Sequence, residues 1–343
     1  MMPIKLLAHV IELPLRTPIR TGHGAIAMRP TILLECRYGD AIFWSEIPAF
    51  AHAGYGPTHA DMWALLAKEG PAIAKAVANG ALADQVTALR HSPMLCHAVD
   101  ALHVQVQAFE HGQSLMGALG IAPRPVDGRA MVGLHSSPNT LITALEAVHK
   151  AGYSAVKLKL SPHALPTVLA ALPQAQALFD EVVLDANGTF TANHWPALLD
   201  VPPHVVLEQP THDLGLHIRQ PLPNPVRLDE AVTGVADVAV ARDLGAGVML
   251  KPVTLGPVSD TLAIINECHA LGVPCGISGH LDSGVGRYLQ WVLAQHPKLS
   301  IRPDFVWSNY YFSDDVLMIT PAFVDTAPLA VDYGRFFTAT CAF

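Results

Sequence analysis

The sequence predicts an α/β protein: a parallel (β/α) barrel preceded by a smaller α+β region. Three observations carry this. From residue 130 onward, a short apolar run, a loop and a helical stretch recur as a unit. Seven such runs end near residues 134, 159, 185, 208, 229, 251 and 278, spaced by 21 to 27 residues, which is the length of one βα unit. Most of these runs stop at a charged or polar residue, as strands do where they leave a core. Seven parallel units in series favour a closed barrel. An open doubly wound sheet stays as the alternative, but its Gly-x-Gly-x-x-Gly first turn is absent.

Composition narrows the class further. The chain has 343 residues, 51% hydrophobic and 15% charged, which is the opposite of a disordered balance. Its 25 Gly and 28 Pro follow no period, so fibrous and low-complexity classes are excluded. The length suits two domains, or one large barrel with an appendage. A net charge of -8 with no basic stripe argues against nucleic acid as a partner. The 18 His are scattered, with no pairing that makes a zinc site. The cysteines Cys36, Cys96, Cys268, Cys275 and Cys341 are odd in number and widely spaced, as reduced thiols of a cytosolic protein are. Residues 1–14 lack the apolar core and cleavage site of a signal peptide, and no run reaches the roughly 20 apolar residues of a membrane span. The expectation is a soluble, cytoplasmic protein without membrane contact.

Taken in order, residues 8–13 and 31–37 cluster β-formers between turn-rich pieces and are expected to be strands. Residues 60–78 and 97–111 have helical periodicity. Between them, residues 48–58 are rich in Gly, Ala and Pro and form a long loop of the kind that tends to be functional. After residues 123–129 the barrel units begin, with strands expected at 130–134, 155–158, 182–184, 204–207, 225–228, 248–250 and 273–277.

In such a barrel the chemistry sits at the C-terminal ends of the strands. The second run ends in Lys157-Leu158-Lys159 and the third in Asp185-Ala186-Asn187-Gly188. The fourth ends in Glu208-Gln209-Pro210, the fifth in Asp229-Glu230 and the sixth in Lys251-Pro252. Ser278-Gly279-His280 follows the seventh. Each end alone has a structural explanation: an Asx turn, a strand stop, a solvated edge. Together they are three successive carboxylates flanked on both sides by lysines. Three carboxylates converging on one mouth repel unless a cation neutralises them, and oxygen ligands call for a hard divalent ion, most simply Mg²⁺. Lys159 and Lys251 would face each other across it. An ammonium close to a divalent cation and to another ammonium gives up its proton more readily, so it can serve as a base. Lys157, two residues before Lys159 and on the same strand face, is the neighbour that would assist it. A cation beside two opposed bases suits removal of a proton α to a carboxylate.

At this point the chain resembles the enolase superfamily, in its muconate-lactonising subgroup, and within it the o-succinylbenzoate synthases and N-succinylamino acid racemases. The carrying motifs are Lys157-x-Lys159, Asp185-Ala186-Asn187, Glu208-Gln209-Pro210, Leu228-Asp229-Glu230 and Lys251-Pro252. The stretch from Gly279 to Arg287 and the Tyr310-Tyr311-Phe312 segment are similar to family segments near the barrel mouth. So are the early loop from Pro18 to Gly24, Trp44-Ser45-Glu46 and His91-Ser92-Pro93-Met94. The resemblance covers nearly the whole chain.

The resemblance implies a TIM-like (β/α)7β barrel with an N-terminal α+β capping domain. Residues 1–122 would form the cap, 123–320 the barrel, and 321–343 a segment returning to the cap. It implies Asp185, Glu208 and Asp229 as Mg²⁺ ligands, Lys159 as the base, Lys251 as the opposed lysine, and Glu230 and Asn187 as their supporting partners. Loops 20–25 and 48–55, with Arg20 and Tyr55, would close over a small carboxylate substrate, near Ser278, Gly279 and His280. It implies dehydration to o-succinylbenzoate on the menaquinone route. Racemisation of N-succinylamino acids, epimerisation of dipeptides and a muconate-type cycloisomerisation remain as alternatives, and assembly into a homo-oligomer is left open. The chain departs from the family at His280, where the family has Met, at Asp282 for Glu, and at Ser45 for Gly. Thr254 stands where the racemases carry Arg. His135, at the end of the first run, is either a packing histidine or a substrate contact.

Overall fold

The computed structural model describes residues 5–21, 24–50, 56–325, 328–332 and 334–343. Strands β1 (Lys5–Thr21), β2 (Gly24–Tyr38) and β3 (Ala41–Ile47) form an antiparallel meander. The strands expected at 8–13 and 31–37 lie in the first half of β1 and the second half of β2. Both run further, because β1 passes Pro14 by a register shift between Pro14 and Ile19 instead of ending there. Period-two alternation divides this sheet into two buried faces. Leu6, Ala8, Ile32, Leu34, Phe43 and Ile47 share one cluster with helices α1 (His59–Asn79), α2 (Leu82–Ala88) and α3 (Pro93–Glu110). Ile11, Leu13, Leu33 and Trp44 point the other way, into the cluster that contains the later part of the chain. Helix α1 begins in a capping box between Thr58 and Asp61 and ends on Gly80 in the left-handed conformation. A short α4 (Leu115–Ala118) ends this region.

The second sheet is parallel and consecutive: β4 (Ala130–Val132), β5 (Ala155–Lys159), β6 (Glu181–Asp185), β7 (Val206–Glu208), β8 (Val226–Leu228), β9 (Gly247–Leu250) and β10 (Cys275–Ile277). All seven expected strands are present within a few residues of the predicted bounds. The crossovers carry α5 (Pro138–Lys150), α6 (Leu165–Leu178), α7 (Leu214–Arg219), α8 (Ala236–Asp243), the short α9 (Pro252–Leu255) and α10 (Val258–Leu271). Between β6 and β7 a 3₁₀ turn at Trp195–Asp200 takes the helix's place. Helices α11 (Gly284–Leu293) and α12 (Ser308–Tyr311) follow β10, and β11 (Phe337–Ala342) pairs antiparallel with β1.

One expectation is met only in part. The barrel was to close with an eighth strand, and among the described residues the parallel sheet has seven. Between its edges lies a non-strand segment held by backbone bonds: Arg129 N donates to Pro303 O (2.9 Å), Asp304 N to Ile277 O (2.8 Å), and Ser300 N and Ile301 N to Cys275 O (3.0 and 2.9 Å). Pro303 has no amide to donate, so a continuous ladder cannot form there.

The two sheets meet over buried charge. Arg29, 0% exposed, donates from Nε to Leu281 O (2.9 Å), from Nη1 to Pro30 O and Ala49 O (both 2.7 Å), and from Nη2 to Pro48 O and His280 O (3.2 Å). Burial lowers its pKa to about 10, so it keeps its proton at neutral pH. Glu46 of β3 accepts from the Thr31 hydroxyl, from Ser283 N and Oγ, and from Gly286 N. It thereby satisfies the first amides of α11 from another sheet. Asp315 accepts from Gly284 N (3.0 Å) at the same helix end.

Replacing Arg29 with Met leaves Glu46 without its buried counter-charge, and should cost about 3–5 kcal/mol of stability. Urea denaturation measures this, and a loss under about 1 kcal/mol would contradict the assigned role. Burial raises the Asp315 carboxyl to about 6 from its ordinary 3.8. A carboxyl raised in the fold contributes stability below its unfolded value, and that contribution is lost as pH rises through about 6. Asp315→Asn should therefore gain more in Tm relative to the parent chain at pH 8 than at pH 5.

Candidate active site

Strand register builds the site. Lys159 pairs with Asp185 across β5 and β6, and Asp185 pairs with Glu208 across β6 and β7. Asp229 and Lys251 each stand one residue beyond the ends of β8 and β9. One carboxylate oxygen from each of Asp185, Glu208 and Asp229 lies within 4.8 Å of the others, and all three side chains are buried. Lys159 Nζ donates to Asp185 Oδ2 and Asn187 Oδ1, both at 2.7 Å. Lys251 Nζ stands 2.6 Å from Asp229 Oδ2 and donates to Glu230 Oε1 (3.0 Å). Asn187 Nδ2 donates to the same Glu230 oxygen (2.9 Å), so Asn187 and Glu230 bridge the two lysines. Lys157 points to the same side as Lys159 but sits against Glu208 Oε1 (2.7 Å), Asp185 Oδ2 (3.4 Å) and Asp304. Its ammonium is committed to carboxylates on the cavity floor.

The turns beyond the strands are tight. Asn187 and Gln209 have φ of 44° and 38°, in the left-handed region, which Asn tolerates and Gln adopts at a cost of about 1–2 kcal/mol. At Gly188, with φ 74°, an added Cβ would lie 2.2 Å from the His212 ring. Gln209 offsets its strain with its side chain: Oε1 accepts from Asp229 N (2.9 Å) and Ala231 N (3.1 Å), while Nε2 donates to Thr211 O (2.8 Å). A residue from the fourth unit thus fixes the carboxylate-bearing backbone of the fifth.

Charges alternate through the interior. Arg129, 0% exposed, bonds Asp304 (2.7 Å) and Glu181 (3.0 Å), and Asp304 bonds Lys157. Burial works against ionisation of Asp185, but Lys159, Lys157 and Lys251 outweigh it and hold this carboxyl below the usual range. Burial pushes Glu208 up in spite of Lys157. Burial, and next the Glu230 carboxylate, push Asp229 well up against the pull of Lys251. Glu208 Oε2 and Asp229 Oδ1 are buried and accept no hydrogen bond. Two oxygens without donors, on the two carboxylates whose charge burial disfavours, fit a hard divalent cation with oxygen ligands.

The cavity over this cluster measures about 100 Å³. Ser278, Gly279 and His280 line it, with apolar walls from Ile19, Ile26, Phe50 and Met131. At Gly279 an added Cβ would meet Gln290 and Asp282 within 3 Å. Arg20 and His135 do not line it. The Arg20 side chain is exposed, and its carbonyl accepts from Leu134 N (2.8 Å), which anchors the tip of β1 at the end of β4. His135 is half-buried beside it, its pKa lowered by burial and then by Arg20. Tyr55 lies outside the described residues. Sequence reasoning missed Arg129, Asp304 and Gln209. Arg129 stands directly before the first apolar run, so position alone could have flagged it, whereas Asp304 belongs to no run the sequence shows.

Residues 140–334 match the family model described as enolase C-terminal domain-like, which is more than half the chain. The protein belongs to the enolase superfamily. Among curated relatives it is 27% identical over 328 residues to the o-succinylbenzoate synthase of Geobacillus stearothermophilus, covering 91% of this chain and 86% of the relative. It is 27% identical over 329 residues to the N-succinylamino acid racemase of Thermus thermophilus, at 90% and 86% coverage. Among solved structures, an enolase superfamily member from Listeria innocua superposes with a TM-score of 0.85 at 20% identity, covering 100% of this chain and 99% of that one, and shares the fold. No helix of the described residues is long and apolar enough to cross a membrane.

Gln209→Ala leaves the Asp229 amide unpaired and frees that backbone. Isothermal titration with Mg²⁺ should show affinity lower by about 10–100-fold; unchanged affinity would refute a positioning role for Gln209.

Proposed function

We propose that this enzyme removes the proton α to a substrate carboxylate, and that its reaction is the dehydration that forms o-succinylbenzoate. Residues 1–122 serve as the cap, 123–320 as the catalytic unit, and 321–343 as the strand that ties back to the cap. Mg²⁺ held by Asp185, Glu208 and Asp229 would supply the positive charge that stabilises an enediolate. Lys159 takes the α proton and, from the same face, returns it to the departing hydroxyl, so a syn elimination needs one base only. Lys251 stays protonated on the far side of the triad and offsets the developing negative charge. Asn187 and Glu230 hold the two ammonium groups in place, and Lys157 with Asp304 keeps the floor neutral.

The observation that carries this reading is the inequality of the two lysines. Lys251 stands between two carboxylates, whereas Lys159 has one carboxylate and a neutral carboxamide. Burial disfavours the charge on Lys251, but Asp229 and Glu230 outweigh it and raise its pKa. The Thr254 hydroxyl bonds back to Lys251 O (3.0 Å) and brings no second cation near. Racemisation is the second reading. It is favoured by one observation: Lys159 and Lys251 line the same cavity from strands on opposite sides of the three carboxylates.

In D₂O, the chain should dehydrate 2-succinyl-6-hydroxy-2,4-cyclohexadiene-1-carboxylate and exchange the α proton of one enantiomer only of N-succinylphenylglycine. Fast exchange of both enantiomers without dehydration would make it a racemase. Lys159→Ala should lower turnover by about 10²–10⁴ or more while melting stays cooperative, and EDTA should abolish turnover. Wild-type rates in either case would remove the base or the cation from the mechanism.

A further inference from the structure

A second cavity, of about 20 Å³, lies where the antiparallel sheet and α3 meet the turn after β10. Ser45 of β3, Gln105 of α3 and Asp282 of the turn line it, with apolar walls from Val253, Val285 and Leu289. Asp282 also lines the larger cavity over the three carboxylates, so one side chain borders both spaces. Its Oδ2 accepts from His280 N (2.8 Å), and an added Cβ at Gly279 would lie 2.9 Å from the same oxygen. The Asp282 carboxylate therefore sets the backbone that walls the larger cavity.

Three oxygens around the smaller cavity have no partner among the described residues. Ser45 Oγ and Asp282 Oδ1 are buried without a hydrogen bond, on side chains each 4% exposed. Gln105 donates from Nε2 to Trp44 O and Ala101 O, both at 2.8 Å. Those two bonds fix its carboxamide and leave Oε1 as an acceptor that no protein group reaches. Glu46, next along β3, is committed to Thr31, Ser283 and Gly286. Polar atoms at this depth are almost always paired, and each one left alone is destabilising.

One kind of occupant satisfies all three. A water can donate to Asp282 Oδ1 and to Gln105 Oε1 while it accepts from the Ser45 hydroxyl. Three bonds are typical of buried water, and the volume exceeds the roughly 10–15 Å³ that one water needs. A metal ion would need several charged or imidazole ligands in one place. Among the described residues the group of that kind is Asp185, Glu208 and Asp229.

We propose that Ser45, Gln105 and Asp282 hold one water between the two sheets, and that Ser45 acts through it as a positioning residue for the turn that walls the active cavity. The role is the same whether the site eliminates or racemises.

A high-resolution crystal structure of the full chain should show one water about 2.7–3.0 Å from Ser45 Oγ, Gln105 Oε1 and Asp282 Oδ1. No density there, or a direct bond between Ser45 and Asp282, overturns the proposal. So does replacement of that density by rubidium on soaking, which would mark a monovalent cation. Hydrogen–deuterium exchange with mass spectrometry then reads the turn without any substrate. In Ser45→Ala the peptide spanning residues 278–283 should exchange about 3–10-fold faster, the worth of one hydrogen bond, while β6 exchanges as in the wild type. Ser45→Thr keeps a hydroxyl and should retain the wild-type rate. Melting curves check that both variants fold. Unchanged exchange in Ser45→Ala overturns the positioning role. Acceleration spread equally over β3 and α3, or as large in Ser45→Thr as in Ser45→Ala, reduces Ser45 to packing and overturns it too.

Discussion

Burying like charge in one place is the constraint on which the rest of this structure depends. One carboxylate oxygen from each of Asp185, Glu208 and Asp229 lies within 4.8 Å of the others, and all three side chains are buried. Isolated, such groups would take up protons or force the strands apart. The fold answers with cations at every side: Lys159 and Lys251 at the flanks, and Lys157 on the floor. Lys157 is neutralised by Asp304, and Asp304 by Arg129. Arg129 and Arg227 share Glu181 at the far end. These groups come from successive units of the chain, some of which supply two, so the charge balance also ties the units to one another.

The same arrangement explains the division of labour within the site. Lysines that touch the triad from opposite flanks have unlike partners, and those partners set what each can do. Lys159 stands against one carboxylate and one carboxamide. Lys251 stands against two carboxylates, which outweigh its burial and raise its pKa. The cavity walls come from other elements, β1, β2 and the turn after β10, and one buried arginine, Arg29, holds that turn against Pro48 and Ala49.

Much of this could be read from residues alone, for a physical reason. Parallel strands buried on both faces must be apolar runs, and a charge at the end of such a run has no structural purpose that recurs five times. That made Lys159, Asp185, Glu208, Asp229 and Lys251 visible. What escaped was whatever broke the pattern. Asp304 follows Pro303 in a segment that forms no strand, so no apolar run marked it. The strand read at 8–13 stopped short of Pro14, where a register shift carries β1 through. Gln209 looked like a turn residue because its importance lies in a side chain that reaches another unit. Arg29 carries no motif, and only the packing of the two sheets shows what it holds.

The pairing of β1 with β11 has a consequence for biosynthesis. His9 on β1 hydrogen-bonds Thr340 on β11, 331 positions away. As the chain leaves the ribosome, the early hairpin can form at once, yet the outer edge of β1 stays bare until β11, more than 300 residues later, has emerged. A bare edge strand is an open template for a neighbouring chain. The interval between the first strand and its last partner is therefore when this protein is most exposed to misassembly. Slower elongation would lengthen that interval, and a chaperone that covers the edge of β1 would protect it.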